Sequence, residues 1–326
     1  MNAVSAVSRI ASLAGVSLAL GGALNAYGAP AAEPPECRNV RFADIGWTDI
    51  TATTSLTTVI LQGLGYKTTT TIASVPIAFT GLKKKNIDVF LGYWNPSMIP
   101  IIDPFLKDKS FVVLPAPNLS GAKYTLAVPT FVADAGLKDF SDIARFRKEL
   151  DGKIYGIEPG NDGNALIQKM ISANDFGLGG FRMVESSEAG MLVEVQRAIE
   201  RKKFIVFLGW EPHPMNERFK MTYLSGGDRV FGANYGGAAV YTVVANGFME
   251  HCPNVATLVR NLKFGLSMES QVMSPILQKK DPMSSAADWL KTNPAAASAM
   301  GEWLKGVQSY DGKDGLATVR ASLGIK

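Results

Sequence analysis

Cysteine and histidine are nearly absent from this 326-residue chain, which holds two of each: Cys37, Cys252, His213 and His251. A metal site needs three or four ligands, so the sequence offers no metal centre and implies no metal cofactor. No Gly-x-Ser-x-Gly elbow occurs. The turn Gly160-Asn161-Asp162-Gly163 lacks both the dinucleotide fingerprint and the Lys-Ser of a phosphate loop. His213 lies between Pro212 and Pro214 and reads as a structural loop residue, while Glu185, Glu188 and Glu194 read as solvated faces. No catalytic residue and no cofactor is therefore expected. Charge is sparse as well, at 19% of residues and a net +4. The densest basic run, Lys83-Lys84-Lys85, reads as a solvated helix end, so nucleic acid is not an expected partner. Beyond the first 28 residues no apolar run approaches membrane-spanning length.

Apolar residues make up 47% of the chain, enough for a real core. Residues 1–28 read as a cleaved secretory signal: Arg9, the apolar stretch Ile10–Leu24, then Ala26-Tyr27-Gly28 as a small-x-small cleavage site, with Ala29-Pro30-Ala31 as a second such site and a shallow membrane anchor as the lesser alternative. The expected location is the periplasm. In an exported chain an even cysteine count suggests a disulfide, Cys37 to Cys252, with two buried thiols as the alternative. A pair so far apart would place both chain ends in one lobe and make the middle an insertion.

The order of elements supports that layout. Val40–Ile45, Thr68–Ile72 and Ile87–Leu91 read as strands separated by helical segments Asp49–Leu64 and Val75–Lys84, a pattern typical of a mostly parallel sheet. Tyr124–Pro129, Lys153–Ile157, Phe181–Glu185, Phe204–Leu208 and Tyr241–Ala245 are further strands, and Phe140–Leu150, Ala165–Ala173 and Glu188–Lys202 are helices. The remainder is helical. The expected fold is α/β: lobe I from 37–118 and 228–326, lobe II from 119–227, two parallel-sheet lobes joined by a hinge of two crossings.

Three tryptophans stand where apolar runs break into Gly- and Pro-marked loops: Gly46-Trp47-Thr48-Asp49, Gly92-Tyr93-Trp94-Asn95-Pro96 and Gly209-Trp210-Glu211-Pro212. Val89-Phe90-Leu91-Gly92 and Val206-Phe207-Leu208-Gly209 echo each other before two of them. Ligands of open α/β sheets bind outside the carboxyl ends of strands. Several indole faces without a metal or nucleophile suit an organic cation. A quaternary ammonium has no N–H to donate, so aromatic faces and a negative charge must recognise it. Trp47, Trp94, Trp210 and Tyr124 supply faces, each worth about 0.5–2 kcal/mol once desolvated. If the backbone stays extended, Asp49 points to the same side as Trp47 and is the counter-charge; its second reading is a helix N-cap. Core packing is the plain alternative for each loop-edge Trp and for Tyr124, and the expected role of Trp289 and Trp303. Tyr93 is expected to face away into packing. Asn161, at a helix start, can bond a small hydroxyl or carboxylate.

At these residues the chain resembles the periplasmic substrate-binding proteins of quaternary-amine ABC transporters, specifically choline-binding proteins. The matching stretches are Gly46–Thr53, Ile87–Gly92, Gly121–Leu126, Leu150–Asn164, Val206–Met215, Tyr235–Ala239 and Cys252–Val255. The resemblance implies a two-lobed protein that closes on choline and delivers it, as a monomer, to the membrane permease of an ABC transporter. It implies an aromatic box of Trp47, Trp94, Tyr124 and Trp210, Asp49 as the acidic partner, Asn161 on the choline hydroxyl, and a Cys37–Cys252 disulfide. Tyr93 departs from a smaller polar residue of the family and would narrow the pocket rim. Glycine betaine or carnitine uptake is the alternative within the class. A choline-ester hydrolase is the alternative outside it.

Overall fold

The computed structural model describes Met1 and residues 33–325. The chain divides into two units, Met1–Ala31 and Ala32–Lys326. The expected export signal, 1–28, lies outside the described residues apart from Met1.

Ten strands, all within the second unit, form one hydrogen-bonded sheet. They are β1 (Asn39–Asp44), β2 (Lys67–Ile72), β3 (Val89–Asn95), β4 (Phe111–Val113), β5 (Leu119–Pro129), β6 (Lys153–Tyr155), β7 (Arg182–Val184), β8 (Phe207–Glu211), β9 (Met221–Tyr223) and β10 (Gly237–Ala245). The order is β2-β1-β3-β10-β5-β8-β6-β7, with β4 on β10 and β9 on β5. The outer pairs are parallel: β1 with β2 and β3, β6 with β7 and β8. The middle is antiparallel, where β10 pairs with β3 and β5, and β5 pairs with β8. The expectation of parallel sheets thus applies to the two wings. The strands that run between the wings reverse direction because the chain leaves on β5 and returns on β10.

Sequence periodicity places most elements within a few residues. Two strand ends differ in a way that matters. β3 continues through Trp94 and β8 through Trp210, so both indoles project from strand ends rather than from the loops beyond. Strands β4 and β9, three residues each, carry too little pattern to be seen. The expected helix Phe140–Leu150 is a 3₁₀ segment, Phe140–Phe146, followed by turns, with Phe140 and Ile143 its only buried residues. Two apolar anchors do not hold three turns of α-helix to a core.

Helix Thr48–Gly63 is buried on most faces despite its threonines. It lies against helices Leu266–Leu277, Pro282–Thr292 and Gly315–Leu323, so the C-terminal quarter packs on the N-terminal wing. Cys37 and Cys252 form a disulfide with Cα atoms 5.5 Å apart, tying the start of the described chain to the same region. Trp289, in helix Pro282–Thr292, and Trp303, in helix Ala296–Trp303, are buried, as their spacing suggests.

Candidate functional site

The middle of the sheet sets out the aromatic side chains. Tyr124 on β5 and Trp210 on β8 are direct cross-strand partners, so their rings leave the same face. Their centroids are 6.3 Å apart at 81°. Trp94, on β3, brings its ring to 5.9 Å from Tyr124. Neighbouring residues on a strand face opposite ways. Tyr93 accordingly pairs with Tyr241, ring to ring at 6.0 Å, and does not line the cavity; the expected narrowing of the rim by Tyr93 is not what its position gives.

Trp47 arrives from β1. Gly46 holds φ +84°, a left-handed conformation that a side chain would disfavour. Asp44 fixes the turn, accepting from the Gly46 amide at 2.7 Å and the Thr51 hydroxyl at 2.8 Å. Trp47 is then the N-cap residue of helix Thr48–Gly63. Asp49 therefore sits in the first helical turn, not on extended chain and not at the cap. It reaches the cavity because the helix begins there, where the free N–H groups favour a negative charge.

Asn161 caps helix Asp162–Ser172. Its Oδ1 accepts from the Asn164 amide at 3.0 Å and from the Tyr124 hydroxyl at 2.8 Å, and its Nδ2 donates to Asp162 Oδ1 at 3.2 Å. A Cβ on Gly163 would collide with that pinned Tyr124 hydroxyl, so the helix start approaches the ring only because residue 163 has no side chain. Asn164 closes the preceding loop through Ile157 and Glu158.

Trp47, Asp49, Trp94, Tyr124, Ile157, Asn161, Asp162 and Trp210 line one cavity with about 260 Å³ of empty space. All six residues singled out in the sequence as ligand contacts are brought together. Asp162 and Ile157 join them unannounced, Asp162 from the turn that drew attention to Asn161 and Ile157 from the end of the strand expected before it.

Three cavity atoms are buried without a hydrogen-bond partner: Asp49 Oδ1, Asp162 Oδ2 and Trp94 Nε1. Buried polar atoms are normally paired, so these are the valences a ligand would meet. No lysine or arginine lines the cavity. Among the described residues, the cations that stack on rings use other aromatics, such as Tyr310 and Tyr223. Burial pushes the Asp49 carboxyl up to about 8, helped by the charge of Glu188, while the nearby Trp94 indole pulls the other way. Burial likewise raises Asp162 to about 6 and Glu158 to about 7. Glu269, buried behind Asp49, is held well above the carboxylate range. Burial thus biases the carboxyl groups around the cavity toward their protonated, neutral forms while no cation is beside them.

Glu188 corrects the sequence reading. It is 5% exposed, not solvated, and accepts from Thr48 and meets His213. His213 is a buried loop residue, as read, with its ring 4.8 Å from that of Trp210. A lone Glu at a helix start gives no sequence signal for burial, since acids favour that position on surfaces too.

Residues 38–292 match the family described as the substrate binding domain of ABC-type glycine betaine transport systems, OpuAC. A solved ABC-transporter choline binding protein in complex with choline is 56% identical, with a TM-score of 0.86 over 90% of this chain and 100% of its own. A choline binding protein in an unliganded semi-closed conformation is also 56% identical, with a TM-score of 0.81 over 89% of this chain and 100% of its own. The glycine betaine/carnitine transport binding protein GbuC of Listeria monocytogenes is 27% identical over 167 residues, 51% of this chain and 54% of that protein. The fold class is the two-lobed α/β one of these binding proteins.

Proposed function

This chain belongs to the family of substrate-binding domains of ABC-type glycine betaine transport systems, and we propose that it captures choline in the periplasm and delivers it, as a monomer, to a membrane permease. One observation carries the choice of ligand: four aromatic residues and two unpaired carboxylate oxygens enclose a small cavity that no cationic side chain lines. The ammonium sits among Trp47, Trp94, Tyr124 and Trp210, with Asp49 as its counter-charge. Choline's hydroxyl lies toward Asn161 and Asp162, where Asp162 Oδ2 accepts its proton. Glycine betaine and carnitine each carry a carboxylate, which Asp49 and Asp162 would repel. The likeness to a choline complex supports the same ligand.

We assign 37–118 and 228–326 to lobe I and 119–227 to lobe II. The sheet order, the disulfide and the packing of the C-terminal helices on Thr48–Gly63 support this. The exits on β5 and returns before β10 are then the hinge, and closure brings Tyr124, Asn161 and Trp210 to Trp47, Asp49 and Trp94. The protein performs no chemistry on its ligand. Among the described residues no helix is long and apolar enough to cross a membrane. Calorimetry tests the reading. Choline should bind at micromolar affinity or tighter, glycine betaine and carnitine more weakly. Betaine binding as tight as choline sinks the assignment, and release of acetate from acetylcholine would make the protein an esterase.

A further inference from the structure

Helix Thr48–Gly63 begins beside the cavity without a side-chain cap of its own, because its N-cap residue is Trp47. Four amides at a helix start need acceptors. The acceptor for Thr48 comes from 140 residues further along the chain. Glu188, first residue of helix Glu188–Glu200, accepts from the Thr48 amide on Oε2 at 2.9 Å and from the Thr48 hydroxyl on Oε1 at 2.5 Å. His213 Nε2 stands 3.1 Å from the same Oε1. The Met215 amide donates to His213 Nδ1 at 2.9 Å, which leaves the proton of the neutral ring on Nε2, facing Glu188. Three donors therefore converge on one carboxylate, and none of Thr48, Glu188 and His213 is more than 8% exposed.

We infer that Glu188 is a positioning residue for ligand capture: its carboxylate ties the Trp47–Asp49 wall of the cavity to the Trp210 wall and holds the two at the separation that encloses the cation. The connection runs from Asp49 and Trp47 through Thr48, Glu188 and His213 to Trp210. It bypasses the ligand space, since neither Glu188, His213 nor Thr48 lines the cavity. A second strut crosses the same gap, the Trp47 indole donating to Glu158 at 2.7 Å. The inference rests on the proposed capture of choline between two lobes. The two Glu188 carboxylate oxygens accept from all three donors. A Gln in its place would turn an N–H₂ toward at least one of them and leave it unpaired.

Stopped-flow tryptophan fluorescence on Glu188→Gln, with choline, reads the consequence. Release should quicken by about tenfold or more, the scale of lost charge-assisted hydrogen bonds. Association should stay within about twofold, as affinity changes at one interface fall mostly on release. Thr48→Val, which keeps the amide bond and loses only the hydroxyl, should show a smaller rise and serves if Glu188→Gln does not fold. Hydrogen exchange, measured with and without choline, is the second arm. Amides of 48–56 and of 210–216 should both exchange faster in the variant, because the strut joins both walls. Faster exchange in 48–56 alone, or an unchanged release rate in a folded variant, reduces Glu188 to a helix cap and overturns the inference. If wild type binds no choline, the functional reading falls, and the exchange arm alone decides the strut.

Discussion

Two strands of this protein end in nearly the same sequence and put the result to different use. Val89-Phe90-Leu91-Gly92 leads to Trp94, and Val206-Phe207-Leu208-Gly209 leads to Trp210. Each glycine admits a close neighbour: a Cβ at Gly92 would clash with Ile50, and one at Gly209 would press tightly on Ala127, Met221 and Tyr223. Each tryptophan then reaches the same cavity. Beyond that the edges diverge. The indole N–H of Trp94 faces Asp49, whose carboxyl it draws down, and neither Trp94 Nε1 nor Asp49 Oδ1 makes a well-formed hydrogen bond to the protein. The ring of Trp210 is backed by His213, and through it by Glu188 and Thr48. One edge keeps polar valences open for a ligand, and the other is braced across the cavity. The lesson is that a repeated strand-to-Trp device specifies where an aromatic face goes. Its neighbours decide whether that face recognises or closes.

The sharpest test removes each face in turn. Trp94→Ala and Trp210→Ala should each lower choline affinity by at least about 2 kcal/mol, roughly thirtyfold, as buried aromatic anchors do. The comparison predicts a difference in form. Trp210→Ala should also weaken ligand-driven contraction in small-angle scattering at equal subsaturating choline, because it loosens the braced side. Trp94→Ala should contract normally once choline is raised to saturate it. Identical scattering behaviour in the two variants would erase the distinction between a recognising and a closing edge.

Removing the charge beside the open edge comes next. Asp49→Asn keeps the shape of the side chain and should cost ten- to a hundredfold in choline affinity, about 1–3 kcal/mol for a desolvated counter-charge. The same change should stabilise the ligand-free protein at alkaline pH, where wild type must hold a carboxylate in an apolar setting. An unchanged dissociation constant would remove Asp49 from the site.

How much of this was legible in the sequence depends on the kind of signal. The aromatic faces could be read because a strand, a glycine and a Trp recur together, and because strand ends are where α/β sheets bind. The disulfide followed from cysteine count and export. Asp49 was found by its nearness to Trp47, though the local geometry given for it was wrong: the helix starts one residue earlier than its threonine-rich pattern suggests. Asp162, beside Asn161, carries no signal of its own, because a first-turn acid is ordinary at a helix start. Glu188 and Glu269 were invisible for a deeper reason. Each is buried by elements distant in sequence, and neither periodicity nor composition reports what will be packed against a carboxylate. The antiparallel centre of the sheet was missed on the same ground, since pairing partners across a crossing leave no local mark.

The proton held at the open edge gives a smaller and graded effect. In the ligand-free protein Asp49 is pushed up to about 8, first by burial and then by Glu188. Glu158, Asp162 and Glu269 around the same space are raised as well. At pH 7 the Asp49 carboxyl is mostly protonated, and choline, which cannot accept or lose a proton, must displace it. Affinity should therefore fall about tenfold per pH unit below 8 and level off above it. Calorimetry at pH 7 in buffers of differing ionisation enthalpy should show about one proton released per choline bound. The stability sign follows from the same raised values. The folded state holds these protons more tightly than the unfolded one, so this contribution to ligand-free stability is fully present below the unfolded pKa, near 4, and is lost as pH rises toward 8. The rise in melting temperature given by saturating choline should accordingly grow from pH 6 to pH 8. Flat affinity across that range would mean that Asp49 is already ionised in the empty site.

The smallest expected effect on affinity belongs to a tryptophan on neither edge. Trp303 is 1% exposed, donates its indole N–H to the Lys263 carbonyl at 3.0 Å and packs edge-on against Phe264 at 5.6 Å. It lies in helix Ala296–Trp303, among the C-terminal helices, and takes no part in lining the cavity. Trp303→Ala should cost about 3–5 kcal/mol of stability through the void it leaves and the carbonyl it strands. Trp303→Phe, which keeps most of the volume, serves as the milder form if the alanine variant does not fold. In whichever variant folds, choline affinity should stay within about twofold, because two-state folding leaves the native site unaltered in the molecules that remain folded. Denaturant melts fix the stability loss, and calorimetry below the transition fixes the affinity. A loss of choline binding at Trp303 as large as that at Trp94 or Trp210 would show that affinity here tracks general packing. The two Trp-bearing strand ends would then have no special claim on the ligand.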